Sequence, residues 1–218
     1  MDFYSRLQHN TASERTALLS APIITAALSE KVDREQYLRF LQRAFHHVKH
    51  TPELLRACSE RVTGQPWLRD ALAHYIEEET GHHEWILDDI AAAGGDADAV
   101  RNSQADFDTD MMVAYAYDTV MRRNPVALFG MVYVLEGTSV SLASRLADVL
   151  QDSLALPANA FTYLRSHGAL DVEHIGHFER VVNRLETEQD RGSVEESAKN
   201  FFRLYGNVLR SIDSQEHA

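Results

Sequence analysis

The sequence predicts an all-α protein. Apolar residues recur at steps of three and four positions along almost the whole chain, and no segment shows the sustained apolar/polar alternation of a half-buried strand. The 218 residues include only 10 glycines and 5 prolines, and 44% are hydrophobic, which is typical of a globular protein. We expect residues 1–218 to form a single helical domain, because this length suits one domain with a sizeable core.

Cap and break residues divide the chain into seven predicted helices. The first stretch is broken near Pro22, and the second has Asp33 as its N-cap and a break before Pro52, since proline cannot continue the hydrogen-bond ladder. The third ends at Gly94, a usual C-terminal signal, and Pro125 can begin the fifth without losing a hydrogen bond. The fourth ends at Asn124-Pro125, the sixth follows a loop around Pro157, and the seventh follows apolar periodicity. The first predicted helical stretch ends at about residue 29. The other six helices are predicted at about 33–62, 66–93, 108–123, 125–150, 158–185 and 193–212.

Charge and composition exclude several function classes. The chain has 21 Lys and Arg against 33 Asp and Glu, a formal charge of −12 that repels nucleic acid. The longest apolar runs fall far short of the roughly 20 residues of a membrane-spanning helix. Cys58 has no second cysteine to pair with, and the N-terminal residues lack a secretory pattern. We therefore expect a cytoplasmic protein without a nucleic-acid or membrane partner.

The apolar stripe of the third predicted helix is interrupted by Glu79 and His82. A buried charge is costly unless it is paired or bound to a metal, so both residues are candidate ligands. A rotation of the helix by one position would bring Glu78 or His83 inward instead. The alternative is that the acidic run is a solvated face and that His82 is a satisfied core histidine.

Two later helices show the same interruption. Glu136 is the only acid in the first five turns of the nearly all-apolar fifth helix, where the alternative is a salt bridge to an arginine. His167, Asp171 and His174 lie at spacings of four and three in the sixth helix, so they share one face. A structural network of two histidines around one aspartate is the alternative for this motif.

Together these residues supply three carboxylates and three imidazoles from three helices: Glu79, His82, Glu136, His167, Asp171 and His174. Three carboxylates carry −3 and two divalent cations carry +4, so a two-metal cluster could be buried at nearly balanced charge. Mixed oxygen and imidazole donors without thiolate favour iron or manganese over structural zinc.

At these residues the sequence resembles the haem-oxygenase-like di-iron oxidases and oxygenases, a branch of the superfamily that includes thiaminase II and pyrroloquinoline-quinone synthase. Ferritin-like bundles use two Glu-x-x-His pairs, whereas here the second pair is replaced by His167-x3-Asp171-x2-His174. The resemblance implies a seven-helix haem-oxygenase-like bundle and two non-haem irons, with all six residues as ligands. It also implies O2 as co-substrate and oxidation or oxygenation of a small organic substrate such as an amino acid or fatty acid. An external reductant and a homodimer are further expectations.

Three other functions on the same fold remain open. A thiaminase-like hydrolase needs a nucleophilic thiol, for which Cys58 is the only candidate. A haem-binding protein needs an axial histidine, which His46, His47 or His50 could supply, although we expect these three on an exposed face where one ring could contact substrate. A cofactor-free oxidase is the third. Tyr75 and Tyr133 are expected to be core residues, with contact to the ligands or substrate as the alternative.

Overall fold

The structure is a computed structural model that describes the backbone of residues 1–213 and the side chains of these residues except 169–173. All regular elements in the described residues are helical. The α-helices are α1 (Phe3–Asn10), α2 (Ala12–Leu19), α3 (Pro22–Leu28), α4 (Arg34–Val48), α5 (Thr51–Arg61), α6 (Pro66–Glu79), α7 (His82–Ala92), α8 (Ala97–Arg101), α9 (Phe107–Arg122), α10 (Phe129–Leu154), α11 (Thr162–Asn183) and α12 (Glu188–Ser211). Short 3-10 turns, Pro125–Leu128 and Ala158–Ala160, precede α10 and α11.

The predicted all-α class is confirmed, but the number of helices is larger than seven. Breaks inside predicted helices account for most of the difference. The N-terminal stretch forms three helices, the second predicted helix divides before Pro52 as expected, and the third divides into α6 and α7. The five-residue α8 was not predicted, because one turn carries too little periodicity to be recognised.

Local cap residues explain where several helices begin and end. The Asp33 carboxylate accepts the backbone N–H of Gln36 at 2.8 Å, and the Gln36 side chain accepts the N–H of Asp33, which completes a capping box. Gly94, with a φ of 79°, follows the end of α7. These positions agree with the sequence prediction.

The division between α6 and α7 is a correction to the predicted continuous helix. Gly81 has a φ of 98°, a left-handed conformation that favours glycine, and it is the N-cap of α7. Glu79 is therefore the last residue of α6 and His82 is the first residue of α7. The two candidate ligands lie on either side of a turn and not on one helix face.

The centre of the protein is built on α10, which packs along α11 and also against α12. A Cβ atom at Gly168 would lie 3.0 Å from the backbone nitrogen of Ser144, so α10 and α11 approach closely beside His167. Residues 125–154 are apolar and long enough to span a membrane by composition alone, but 61% of the most apolar window is buried inside the protein. This segment is the core helix of the fold.

Candidate metal centre

Glu79, His82 and His167 form the first of two clusters. One potential ligand atom from each residue lies within 4.8 Å of the other two. The Nδ1 atom of His82 is 3.2 Å from Oε2 of Glu79, and the centroids of the His82 and His167 rings are 4.9 Å apart. Glu79 and His82 are 8% and 4% exposed. The end of α6, the start of α7 and the middle of α11 therefore bring a carboxylate and two imidazoles together.

The second cluster is centred on His174, which lies about two turns after His167 on α11. Its Nε2 atom is 3.1 Å from Oε2 of Glu78, and its Nδ1 atom is 3.7 Å from Oε1 of Glu136. His174 and Glu136 are buried, whereas the Glu78 side chain is 30% exposed. This arrangement places one imidazole between a carboxylate of α6 and a carboxylate of α10.

Glu78 and Glu79 contribute to different clusters. The sequence left open which of the two faces the site, and the structure brings the first close to His174 and the second close to His82. Neighbouring positions on a helix are separated by about 100° of rotation, so consecutive carboxylates at the end of α6 can reach two sides of one site. Glu78 thus adds to the predicted set and does not replace Glu79.

The predicted ligand Asp171 lies on α11 between His167 and His174, but its side chain is outside the described residues. Its role stays a prediction. For the other five predicted ligands the structure gives positions, and it brings all five into the two clusters.

The donor set of the two clusters fits divalent iron. Carboxylate oxygens and imidazole nitrogens are borderline to hard ligands that suit Fe(II) and Mn(II). Glu79 and Glu136 are each 8% exposed, and their described ion-pair partners are the imidazoles of His82 and His174. A neutral imidazole does not compensate the negative charge of a buried carboxylate. A bound cation would compensate it and so stabilise the site.

Aromatic rings support the histidines. The His82 ring stacks on Trp85 with centroids 4.1 Å apart and an interplanar angle of 25°. The His167 ring lies 4.6 Å from the ring of Tyr163. Packing of this kind holds each imidazole in one orientation, as metal ligation requires.

A largely apolar cavity of about 130 Å³ reaches the site. Its lining includes Glu79, Glu136 and His167, whereas the rest is mostly aliphatic and aromatic side chains from α3, α4, α10 and α12. Neither lysine nor arginine is present among the described lining residues. The cavity can therefore hold an apolar molecule beside the clusters.

Tyr75 and Tyr133 are both buried, as the sequence predicts. The Tyr133 ring stacks on Phe178 with centroids 5.6 Å apart, so its environment is core packing. Tyr75 differs, since it lines the cavity and its ring lies 6.1 Å from that of His174. Tyr75 is therefore both a core residue and part of the cavity wall.

Asp89 is a site-supporting residue that the sequence analysis did not identify. Its carboxylate accepts the backbone N–H groups of Thr162 and Tyr163 at 2.9 and 2.8 Å, and it is 0% exposed. These N–H groups belong to the first turn of α11, whose own N-cap residue provides no side-chain cap. The apolar neighbours Ile86, Leu87 and Ile90 indicate that the Asp89 side chain is buried. They do not indicate its hydrogen-bond partners, which are more than 70 residues away in the chain.

Burial shifts the pKa of Asp89. Removal of the carboxylate from water raises the pKa from its ordinary value to about 6, and the hydrogen bonds from the start of α11 oppose this shift only partly. Asp89 therefore fixes the beginning of the helix that carries His167 and His174.

The expectation that His46, His47 and His50 occupy an exposed face is wrong for the first two. His46 and His47 are buried, and His50 is half-buried. His46 hydrogen-bonds Ser103 at 2.9 Å, and His50 bonds the Tyr117 hydroxyl at 3.1 Å. His47 lines the cavity. Helix α4, which carries His46 and His47, packs against α7 and α9, and this packing covers the face that the sequence predicted to be exposed.

Cys58 lies away from the cavity. Its thiol is buried and donates to the carbonyl oxygen of Pro125 at 3.2 Å. Burial raises the pKa of the thiol to about 12, which opposes formation of a nucleophilic thiolate. The residue behaves as a packing group between α5 and the start of the fifth predicted helix.

The chain matches a known protein family in sequence and several solved structures in fold. The family model described as "Iron-containing redox enzyme" matches residues 38–206. No curated protein sequence matches the chain.

Solved structures with similar folds include proteins of different named functions. A domain of unknown function with a haem-oxygenase-like fold from Shewanella denitrificans is 23% identical, with 97% of this chain and 92% of that chain covered and a TM-score of 0.85. A TenA homologue from Pseudomonas syringae is 11% identical, with coverages of 96% and 92% and a TM-score of 0.80. Haem oxygenase from Leptospira interrogans is 16% identical, with coverages of 97% and 100% and a TM-score of 0.78. The chain therefore has the haem-oxygenase-like fold.

Proposed function

The chain belongs to the family of iron-containing redox enzymes, and on that premise we propose that it is a non-haem di-iron enzyme that uses O2 to oxidise or oxygenate a small organic substrate. The observation that carries the proposal is the pair of carboxylate–imidazole clusters at one cavity. Each cluster has enough donors for one metal ion. The first draws its residues from α6, α7 and α11, and the second from α6, α10 and α11.

The described residues divide between two proposed iron sites. Glu79, His82 and His167 would hold one ion, because their donor atoms lie within 4.8 Å of one another. His174, Glu136 and Glu78 would hold the other, with Asp171 as a further predicted ligand.

The protein's own part in the reaction is to orient groups and to exclude water. When bound, two ferrous ions supply electrons for the reduction of O2, which side chains alone do not provide. Trp85 and Tyr163 hold the rings of His82 and His167, and the apolar cavity wall keeps the substrate region dry. The lining gives room for a small, mainly apolar substrate next to Glu79 and Glu136.

An anaerobic Fe(II) titration of the metal-free protein, followed by exposure to O2 with absorbance recording, tests this function. We expect uptake of about two irons per chain and a transient visible band, because two mixed oxygen–nitrogen sites are proposed. A folded protein that takes up no iron would overturn the proposal and would make the clusters a buried polar network. Uptake of a single iron would refute the second site. Manganese titrated in parallel decides between the two metals that the donor set allows.

Glu136→Ala tests the second site directly. It removes a carboxylate from an apolar helix face, so we expect iron stoichiometry to fall to about one per chain while the circular dichroism spectrum stays helical. Glu77→Ala is the matched control, because Glu77 lies in the same acidic run but is exposed. Retention of full iron loading by Glu136→Ala would refute the assignment of Glu136.

The alternative functions have distinct signatures. The cavity of about 130 Å³ is close to the size of engineered cavities that bind benzene, so it would have to open to admit a porphyrin. A Soret band after addition of haemin would favour a haem-binding protein. Inactivation by iodoacetamide would favour a thiaminase-like hydrolase, although the buried Cys58 thiol does not line the cavity. Turnover by the metal-free protein would favour a cofactor-free oxidase.

We also propose a cytoplasmic location, supported by the free buried Cys58 thiol, which suits a reducing compartment. An external reductant would return the irons to the ferrous state after each turnover. Gel filtration tests the proposed homodimer, and separation as a monomer would contradict it.

A further inference from the structure

His47 is a buried polar residue that the proposed iron sites do not use. It lies on α4, is 7% exposed, and lines the cavity that reaches Glu79 and Glu136. Its ring is edge-on to the Tyr205 ring, with centroids 5.9 Å apart and an interplanar angle of 76°. Among the described residues, no side chain or backbone group hydrogen-bonds its ring nitrogens. One face of the apolar cavity thus carries a polar ring without a protein partner.

The two neighbouring histidines do not share this property. His46 is bonded to Ser103 and His50 to Tyr117, so the polar atoms of both rings are used inside the protein. The His47 ring nitrogens are not among the fully buried polar atoms without a partner, so they are accessible from the cavity that the residue lines. The position of His47 on the cavity wall offers the missing partner, namely a group of the molecule that occupies the cavity.

Burial of the His47 ring favours its uncharged form. Burial lowers its pKa to about 3, and the positive charge that nearby histidines would carry acts in the same direction. A neutral imidazole has one N–H donor and one nitrogen acceptor. It can therefore bind a hydroxyl, carbonyl or amide group, but it does not neutralise a carboxylate.

The other cavity walls also lack a positive charge. The described lining includes neither lysine nor arginine, and its charged members are the candidate metal ligands. A carboxylate placed near His47 would lose its hydration without gaining a counter-ion from a lysine or arginine. We propose that His47 is a specificity-determining residue, which hydrogen-bonds a neutral hydroxyl, carbonyl or amide group of an otherwise apolar substrate. This inference rests on the proposed function, because it treats the cavity as the substrate site.

Calorimetric binding of six-carbon probes to the metal-free protein tests the inference. The probes are 1-hexanol, hexane and hexanoate, which differ in the terminal group. We expect 1-hexanol to bind better than hexanoate, because the described cavity lining offers a carboxylate no lysine or arginine. In His47→Phe, we expect the affinity for 1-hexanol to fall about three- to tenfold, the effect of one neutral hydrogen bond, while hexane affinity changes little. His47→Gln, which keeps a donor and an acceptor, should recover part of the loss.

His50→Phe is the matched control, because it makes the same substitution three residues away at a ring bonded to Tyr117. We expect it to leave 1-hexanol affinity unchanged. Equal 1-hexanol affinity in wild type and His47→Phe would overturn the proposal, as would stronger binding of hexanoate than of 1-hexanol.

Failure of this inference is distinguishable from failure of the proposed function. The probe measurements contain no metal, whereas the Fe(II) titration contains no substrate. His47→Phe should still take up iron as wild type does, because its ring is not in either cluster. Loss of iron uptake in this variant would instead make His47 a part of the metal centre and would overturn its assignment to substrate.

Discussion

Replacing Asp89 by alanine removes the cap of the helix that carries His167 and His174. The Asp89 carboxylate accepts two backbone N–H groups at 2.9 and 2.8 Å, those of Thr162 and Tyr163. Both donors belong to the first turn of α11, where no residue within the helix can accept them. Asp89→Ala should therefore weaken both the fold and the metal centre.

The magnitude follows from the two lost hydrogen bonds. Loss of an N-cap side chain costs about 0.5–2 kcal/mol, and a buried donor without a partner costs about 1–3 kcal/mol. The cost of burying the Asp89 carboxylate is recovered in the variant, and this offsets part of the loss. We expect the free energy of unfolding to fall by about 2 kcal/mol at neutral pH.

Urea unfolding of the metal-free proteins measures this difference, and an Fe(II) titration then measures weaker iron binding by the variant. Asp88→Ala is the control, because Asp88 is the exposed neighbour on the same helix. We expect it to change the free energy of unfolding by less than about 0.5 kcal/mol. An Asp89→Ala protein as stable as the control, with the same dependence on urea, would refute the capping argument.

Three further predictions concern pH, the crossing of α10 and α11, and the thiol. Because burial raises the pKa of Asp89 from 3.8 to about 6, the stability advantage of wild type over Asp89→Ala should be full below pH 3.8 and should decline as pH rises through about 6. A flat difference in urea unfolding from pH 4 to 7 would contradict this. Gly168→Ala should cost about 1–3 kcal/mol in thermal unfolding, since its Cβ would lie 3.0 Å from the Ser144 backbone nitrogen. Gly176→Ala, with more space on the same helix, should not lower the melting temperature, and equal effects of the two would refute the argument. Iodoacetamide should label Cys58 in urea but not in the native protein at pH 8, because the pKa of the buried thiol is about 12; rapid native labelling would show that the thiol is accessible.

The helical class could be predicted because it is encoded locally. The capping box at Asp33, the break before Pro52 and the end of α7 at Gly94 each depend on residues within a few positions of one another. The break at Gly81 is equally local, but a glycine inside an otherwise periodic segment is compatible with a continuous helix. Only its positive φ, set by the direction in which α7 must leave α6, shows that the helix ends there.

The candidate site could be predicted in part for the same reason. Glu79, Glu136 and His174 interrupt apolar stripes, and a stripe shows which residues face inward without showing what they meet. The assignment of these residues as metal ligands stays a prediction. The sequence does not show that these residues divide between two clusters or that Glu78 belongs to the second. Both features depend on how α6, α10 and α11 are rotated against one another.

The helical class, several helix ends and the polar residues that face the core could be predicted from the sequence, because each depends on spacing along a few turns. The cap that Asp89 provides for α11, the place of His47 on the cavity wall and the position of Cys58 away from it appear only in the folded molecule. Such contacts join residues far apart in the chain, for example 73 positions in the case of Asp89 and Thr162. No local pattern specifies the partner, since it is set by the packing of helices whose relative orientation depends on the whole core.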